Sequence, residues 1–347
     1  MKKTLWARWF VAVLLVGGLT ACSPKEVQVG SWQVIPLPQE ITEVKDAAPF
    51  VINSSTVICY PEGNEKLEKT AHFLASYIRE VTGTTVRVVT KQAENSISLQ
   101  VDTAVSLAKD GYELQVSADG ITVKGATEAG VFYGIQTIYK ALPITEGKTL
   151  GAVPAGTVKD YPRFDYRGFM VDVGRHFFSV DYLKEIIDML AMHHINYFHW
   201  HLTEDQGWRL EIKKYPRLTS IGATRPESPI PGNRNKGDGK PFTFFYTQKE
   251  VKELVDYAKR RHITIVPEIE TPGHAAAAIT AYPEFGNKDI PGYKPRVATR
   301  WGILPFTFSP TEPTFKFIDG ILEEVCQLFP DSPYIHIGGD EAPKQQW

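Results

Sequence analysis

The sequence predicts an α/β protein: an N-terminal α+β domain followed by the first half of a (β/α)8 TIM barrel. Three observations predict it. Past residue 163, β-rich runs alternate with amphipathic helices, the pattern of a parallel sheet with helices outside. Four of those runs carry one apolar face and one face of His, Asp and Glu. Before residue 150 the order is a helix, several short strands and a second helix, which is an α+β arrangement.

The N-terminus reads as targeting rather than fold. Met1-Lys2-Lys3 with Arg8 is a basic start, and Phe10 to Val16 is an apolar core too short to span a bilayer. Leu19-Thr20-Ala21-Cys22 is similar to a bacterial lipoprotein cleavage box, so residues 1–22 are expected to be a signal peptide and Cys22 the lipidated first residue. Acyl chains would then anchor the mature protein to the cell envelope, with Ser23 favouring the outer membrane or a periplasm-facing position. Residues 23–33 read as a polar tether.

The first domain is expected over residues 34–150. Leu67, Ala71, Leu74, Ile78 and Val81 recur at helical spacing, and Gly83 ends that helix. Short β runs follow at Thr85–Val89, Ser96–Val101, Tyr112–Val116 and Ile121–Val123. Thr127 then caps a helix reaching about Leu142. Residues 151–162, rich in Gly and Pro on their N-terminal side, read as a linker. From 163 to 347 the expected strands are Tyr166–Val173, Ile195–Leu202, Ile263–Ile269 and Tyr334–Ile337. Helices are expected over Val180–His193, Thr247–Arg261 and Thr311–Phe329.

Composition narrows the function. With 347 residues the chain has room for about two domains. A net charge of −2 gives no electrostatic case for nucleic acid. Aromatic residues make up 12%, which suits sugar stacking and a large core alike. Cys59 and Cys326, far apart, read as buried free thiols rather than a disulfide framework.

Side chains alternate along a strand, so each run can be read by face. Met170 and Asp172, His199 and His201, Glu268 and Glu270, and His336 and Asp340 share the polar side. An open parallel sheet covered by helices needs two apolar faces. A closed barrel puts the polar face inside, with functional groups at the C-terminal strand ends. Asp340 and Glu341 follow Gly338-Gly339 at such an end; adjacent carboxylates resist burial and suit acid–base work. The glycines would let the chain bend so that both acids face one pocket.

Four blocks carry a resemblance: Arg167 to Phe177 (RGFMVDVGRHF), His199 to Arg209 (HWHLTEDQGWR), Pro267 to Ala275 (PEIETPGHA) and His336 to Glu341 (HIGGDE). In this order they resemble glycoside hydrolase family 20, the β-N-acetylhexosaminidases, here in a bacterial lipoprotein form. The resemblance implies retaining, substrate-assisted hydrolysis of terminal N-acetylglucosamine or N-acetylgalactosamine through an oxazolinium intermediate, without a cofactor or metal. Glu341 would be the general acid and base, and Asp340 would hold the acetamido group. Arg175 would bind hydroxyls at the far side of the sugar, and Asp205 would orient His274, which supports the acid. His201 would line the same site, with Asp205 preferred to Glu204 by alternation. Glu270 stands where many members have Asp. The partner is an N-acetylhexosamine-terminated glycan.

A full barrel takes about 250 residues and eight strands, so the chain reads as a C-terminally truncated fragment, poorly active by itself. Two rival readings remain at this stage. One is a non-catalytic amino-sugar-binding lipoprotein. The other is a metal-dependent barrel hydrolase built on His199-x-His201.

Overall fold

The computed structural model describes residues 25–103, 108–342 and Lys344. The expected signal peptide and Cys22 lie outside the described residues.

The first unit contains β1 (Val27–Val29), β2 (Glu40–Glu43), β3 (Phe50–Val51), β4 (Val57–Cys59), α1 (Glu65–Thr82), β5 (Arg87–Val89), β6 (Ser96–Val101), β7 (Tyr112–Ser117), β8 (Gly120–Gly125), α2 (Glu128–Ala141), β9 (Leu150–Val153) and β10 (Gly156–Asp160). Seven strands form a mixed sheet in the order β2-β10-β7-β8-β6-β4-β5. The pairs from β2 to β8 are antiparallel and those from β8 to β5 parallel. A smaller sheet joins β1, β9 and β3.

Helix α1 forms where the spacing predicts it. The Asn64 side chain accepts from Leu67 N at its start, and Gly83 in the left-handed conformation (φ 69°) closes it. Its apolar stripe of Leu67, Ala71, Leu74 and Ile78 is fully buried. Helix α2, capped by Thr127, is buried on most sides. It is covered by its own sheet and by the second unit, so a one-sided polar pattern would not suit it. Across that junction Lys140 Nζ donates to Met192 O at 2.7 Å and Arg167 Nη2 to the Tyr133 hydroxyl at 3.1 Å.

Three sequence expectations need correction here. Residues 151–162 are not a linker: β9 occupies their start, and β10 lies inside the main sheet between β2 and β7, with Val158 fully buried. The alternation of Thr157, Val158 and Lys159 was hidden by the Gly and Pro around it. The tether over 23–33 contains β1, which pairs with β9, and the buried Trp32. Two valines separated by a single Gln make a strand too short for periodicity to reveal. Cys59 is buried as expected, but Cys326 is exposed; both are free.

The second unit is the opening part of a (β/α)8 barrel. Its elements are β11 (Gly168–Asp172), α3 (Val180–Met192), β12 (Tyr197–His201), β13 (Thr203–Glu204), β14 (Gly207–Trp208), α4 (Arg217–Ser220), β15 (Thr224–Arg225), β16 (Pro229–Ile230), β17 (Asn233–Gly237), β18 (Phe242–Thr243), α5 (Gln248–Lys259), β19 (Thr264–Glu268), α6 (Ala276–Ala281) and α7 (Glu312–Leu328). Strands β11, β12 and β19 are parallel neighbours in that order. The register aligns Asp172, His201 and Glu268 in one row. Ser179 caps α3, and Thr247 with Glu250 forms a capping box on α5. Phe198, Trp200, Leu202, Ile265 and Ile269 fill the buried side of the sheet.

The fourth expected strand, Tyr334–Ile337, is an extended segment beside β19 with a single bridge, His336 to Glu268. His336 N donates to Pro267 O at 2.9 Å, and Ile269 N to His336 O at 3.0 Å. Gly338 and Gly339 turn the backbone away directly after it, which ends the pairing early. Among the described residues, no helix is long and apolar enough to cross a membrane.

Candidate active site

The C-terminal ends of β11, β12 and β19, with the segment after His336, bring the sequence-predicted residues together. Each arrives for a local reason. Asp172 ends β11, and its carboxylate accepts both Arg175 N (3.0 Å) and Arg175 Nη1 (2.7 Å), folding Arg175 back toward the sheet. Arg175 Nη2 then lies 2.7 Å from Glu204 Oε1. Gly174 permits this approach, because a Cβ there would lie 2.6 Å from Cβ of Glu204.

Alternation along the strand favours Asp205 over Glu204, and the structure places both in the site. Strand β12 ends at His201, and β13 and β14 form a tight hairpin whose turn carries Asp205. Simple alternation does not continue through a turn, so neighbouring acids reach the same imidazole. His274 Nδ1 lies 3.1 Å from both Glu204 Oε2 and Asp205 Oδ2. Asp205 Oδ1 also accepts from Ala276 N at the start of α6. These two acids push His274 up to about 11, so the imidazole is a cation at neutral pH.

The other imidazole nitrogen faces the glycine-linked acids. His274 Nε2 lies 3.4 Å from Glu341 Oε2 and 3.6 Å from Asp340 Oδ2. Asp340 and Glu341 therefore converge on one point although they are adjacent in sequence. The backbone between strand and acids does the turning: Gly338 has φ 65° and Gly339 φ 103°. Glu341 and His274 both have φ 47°, uncommon for residues with a Cβ. Gly338 is required twice over, since a Cβ there would lie 1.7 Å from Glu270 Oε2. Asp340 and Glu341 are exposed, while His274, Asp205 and Glu204 behind them are buried.

A second network lies deeper in the sheet. Glu268, for which the sequence suggested a facing direction but no role, meets three imidazoles. His199 Nε2 and His201 Nδ1 approach its Oε2 at 2.7 and 2.9 Å, and His336 Nδ1 its Oε1 at 2.8 Å. Burial alone pushes Glu268 up, but His199 and His201 outweigh it and hold the carboxyl below its usual range. Burial likewise disfavours a charged His201, yet Glu204 and Glu268 raise it to about 10. Glu204 is drawn down to about 2 against its burial by His201, His274 and Arg175. Glu270 moves the other way: burial first, then the negative charge of Glu268, raises it to about 8. Its Oε2 has no hydrogen-bond partner among the described residues.

Donor atoms of His199, Glu268 and His336, and of His201, Glu268 and Glu270, lie close enough to hold a cation. The contacts within the first trio, at 2.7 and 2.8 Å, are hydrogen-bond lengths between imidazole and carboxylate.

The arrangement can deliver a proton from an exposed carboxyl backed by a charged imidazole, hold a polar group on a neighbouring carboxylate, and grip a ligand with Arg175. Comparison with known proteins agrees with this chemistry. Residues 164–347 match the glycosyl hydrolase family 20 catalytic domain, and residues 31–161 match domain 2 of that family. The chain is 42% identical over 343 residues to a beta-hexosaminidase of Porphyromonas gingivalis, covering 95% of this chain and 42% of that protein. It is 37% identical over 282 residues to a beta-hexosaminidase of Akkermansia muciniphila, covering 81% of this chain and 54% of that protein. The chain thus spans about half the length of these relatives. A similar solved structure is the GH20 beta-N-acetylhexosaminidase of Streptomyces coelicolor, with a TM-score of 0.78 at 34% identity over 90% of this chain and 61% of that one. A mutant Streptomyces plicatus beta-hexosaminidase, in complex with its product GlcNAc, matches with a TM-score of 0.77 at 33% identity, over 89% of this chain and 59% of that one. A catalytic-domain match over more than half of its residues and a second match over most of the rest establish that the chain belongs to glycosyl hydrolase family 20.

Proposed function

We propose that the protein carrying this chain is a retaining β-N-acetylhexosaminidase that removes terminal N-acetylhexosamine from glycans. The observation that carries the proposal is the convergence of Asp340 and Glu341 on His274 Nε2, with Glu204 and Asp205 fixed behind it. Glu341 protonates the leaving oxygen as the acetamido oxygen of the substrate attacks C1, and later takes a proton from water. Asp340 holds the acetamido N–H and stabilises the positive charge of the oxazolinium ion. The His274 cation keeps both acids oriented. Arg175, fixed by Asp172 and Glu204, binds the sugar hydroxyls remote from the scissile bond. His201 supports this set through its contacts with Glu204 and Glu268, and with Glu270 at 3.6 Å.

Turnover of a chromogenic β-N-acetylglucosaminide and binding of N-acetylglucosamine by calorimetry test this together. Glu341→Gln is expected to lower turnover by about 10²–10⁴-fold, the contribution of a positioned acid, while the sugar still binds. Turnover equal to wild type in Glu341→Gln would remove the assignment.

We also propose a lipid anchor at Cys22, placing the protein at the bacterial cell envelope. The leader pattern Leu19-Thr20-Ala21-Cys22 supports it. Mass spectrometry of the protein purified from bacterial membranes should find an acylated Cys22 at the N-terminus. A soluble, unmodified Cys22→Ser variant is the expected contrast, and an unmodified wild type refutes the anchor.

A further inference from the structure

Strand β1 starts close behind the proposed lipid anchor. Cys22 is three residues from Lys25, where the described structure begins, and five from Val27, the first residue of β1. Three Cα–Cα steps reach at most about 11 Å. The polar headgroup layer of a bilayer is itself about 5–8 Å deep. An acylated Cys22 therefore leaves the first unit no length of chain on which to stand away from the membrane.

The surface at that end of the unit is apolar. Val27 and Val29 point to one side of β1 and are both exposed. The loop between α2 and β9 is tied to the chain at both ends of β1: Lys25 Nζ donates to Gly147 O at 3.0 Å, and Ser31 N to Ala141 O at 3.0 Å. Ile144, in that loop, is more than two-thirds exposed. Beyond Ser31 the chain turns Trp32 and Val34 into the core but leaves Ile35 and Leu37 as exposed as Ile144. Up to residue 160, six large apolar side chains are exposed among the described residues, and these are five of them. Single exposed apolar side chains need no explanation. Five that lie within fifteen residues of Cys22, or on the loop bonded beside β1, do.

We infer that this surface is a seat on the lipid bilayer. Val27, Val29, Ile35, Leu37 and Ile144 enter the headgroup layer of the membrane that holds the anchor, and their burial adds to that of the acyl chains. The seat gives the first unit a function, although it supplies none of the residues gathered at His274. Lys140 and Arg167 bond the two units together, so seating the first sets the direction in which the candidate active site faces. The choice of a bilayer rests on the proposed anchor at Cys22. A second copy of the chain is the rival cover, because β1 is the outer strand of its sheet.

Depth-dependent quenching tests the seat. Protein purified from bacterial membranes is placed in vesicles of phosphatidylethanolamine and phosphatidylglycerol, part of the lipid carrying a nitroxide in the upper acyl chain. A bimane label is attached to Ile35→Cys or to Ile144→Cys, each in a Cys326→Ser background, and in a third sample to the native, exposed Cys326 on α7; Cys59 is buried. The labels at positions 35 and 144 should lose fluorescence to the nitroxide, and the label on Cys326 should not. Equal quenching at all three positions, or none at 35 and 144, overturns the seat. Mass spectrometry of the same samples separates the two readings. An acylated Cys22 without quenching at 35 and 144 keeps the anchor and refutes the seat; quenching there with Cys22 unmodified keeps the seat and refutes the anchor. Without acyl chains, the chain from Ser23 onward should still partition onto the vesicles. The pair Ile35→Asp and Ile144→Asp, both at exposed positions, should lower that partition by about tenfold or more; an unchanged partition counts against the seat. Labels at 35 and 144 that become shielded in vesicle-free solution as protein concentration rises would assign the surface to a second copy and overturn the proposal.

Discussion

Gly338→Ala tests how the two exposed acids are held. The residue has φ 65°, so a side chain there meets a left-handed penalty of about 1–2 kcal/mol. The new Cβ would stand 1.7 Å from Glu270 Oε2 and 2.3 Å from its Cδ. Ordinary contact begins at 3.4 Å, so the carboxyl must retreat by about 1.7 Å. Glu270 is only 2% exposed, so displacing its carboxyl inside the packed interior adds an overpacking cost of about 1–3 kcal/mol. The expected loss is about 3 kcal/mol in urea unfolding. In a Glu270→Ala background only the backbone penalty remains, so the double-mutant cycle should show a coupling of about 2 kcal/mol. Glu270→Asp, one methylene shorter, should relieve part of the clash. A coupling below about 0.5 kcal/mol would show that the Gly338 turn does not rest on Glu270, and the account of how Asp340 and Glu341 are aimed would fail with it.

Two further perturbations probe different parts of the molecule. Glu270, raised to about 8 by burial and by Glu268, stays protonated in the folded protein while the unfolded chain ionises near the ordinary value of 4.5. The folded state then holds the extra proton, so this group lowers stability as pH rises from about 4.5 to about 8. Glu270→Gln should remove that slope, and its stability relative to wild type should climb over the same window; a difference that does not change with pH would contradict it. Val158→Ala, in the strand whose flanking Gly and Pro suggest a linker, should cost about 2 kcal/mol or more because the side chain is fully buried between neighbouring strands. A linker residue would cost almost nothing.

Local signals that act over a few residues were legible. The cap at Thr127 and the stop at Gly83 sit where the side-chain chemistry demands. The polar face shared by Asp172, His201 and Glu268 followed from alternation, because those residues lie within straight strands. Alternation misled at Glu204, since a hairpin turn rotates neighbouring side chains to the same side. It gave Glu268 a facing direction but not its three imidazole partners, which come from two other segments.

What the sequence determined by itself was the main helices, the first three barrel strands, the order of the four blocks, and the presence of adjacent carboxylates after two glycines. Those follow from propensity, periodicity and residue type, which are local properties. What only the tertiary structure decided was which groups share an environment. Whether a carboxyl is drawn down, as at Glu204, or pushed up, as at Glu270, depends on charges brought from distant segments into the same low-dielectric space. Distances across the fold set that balance, and no spacing along the chain encodes them.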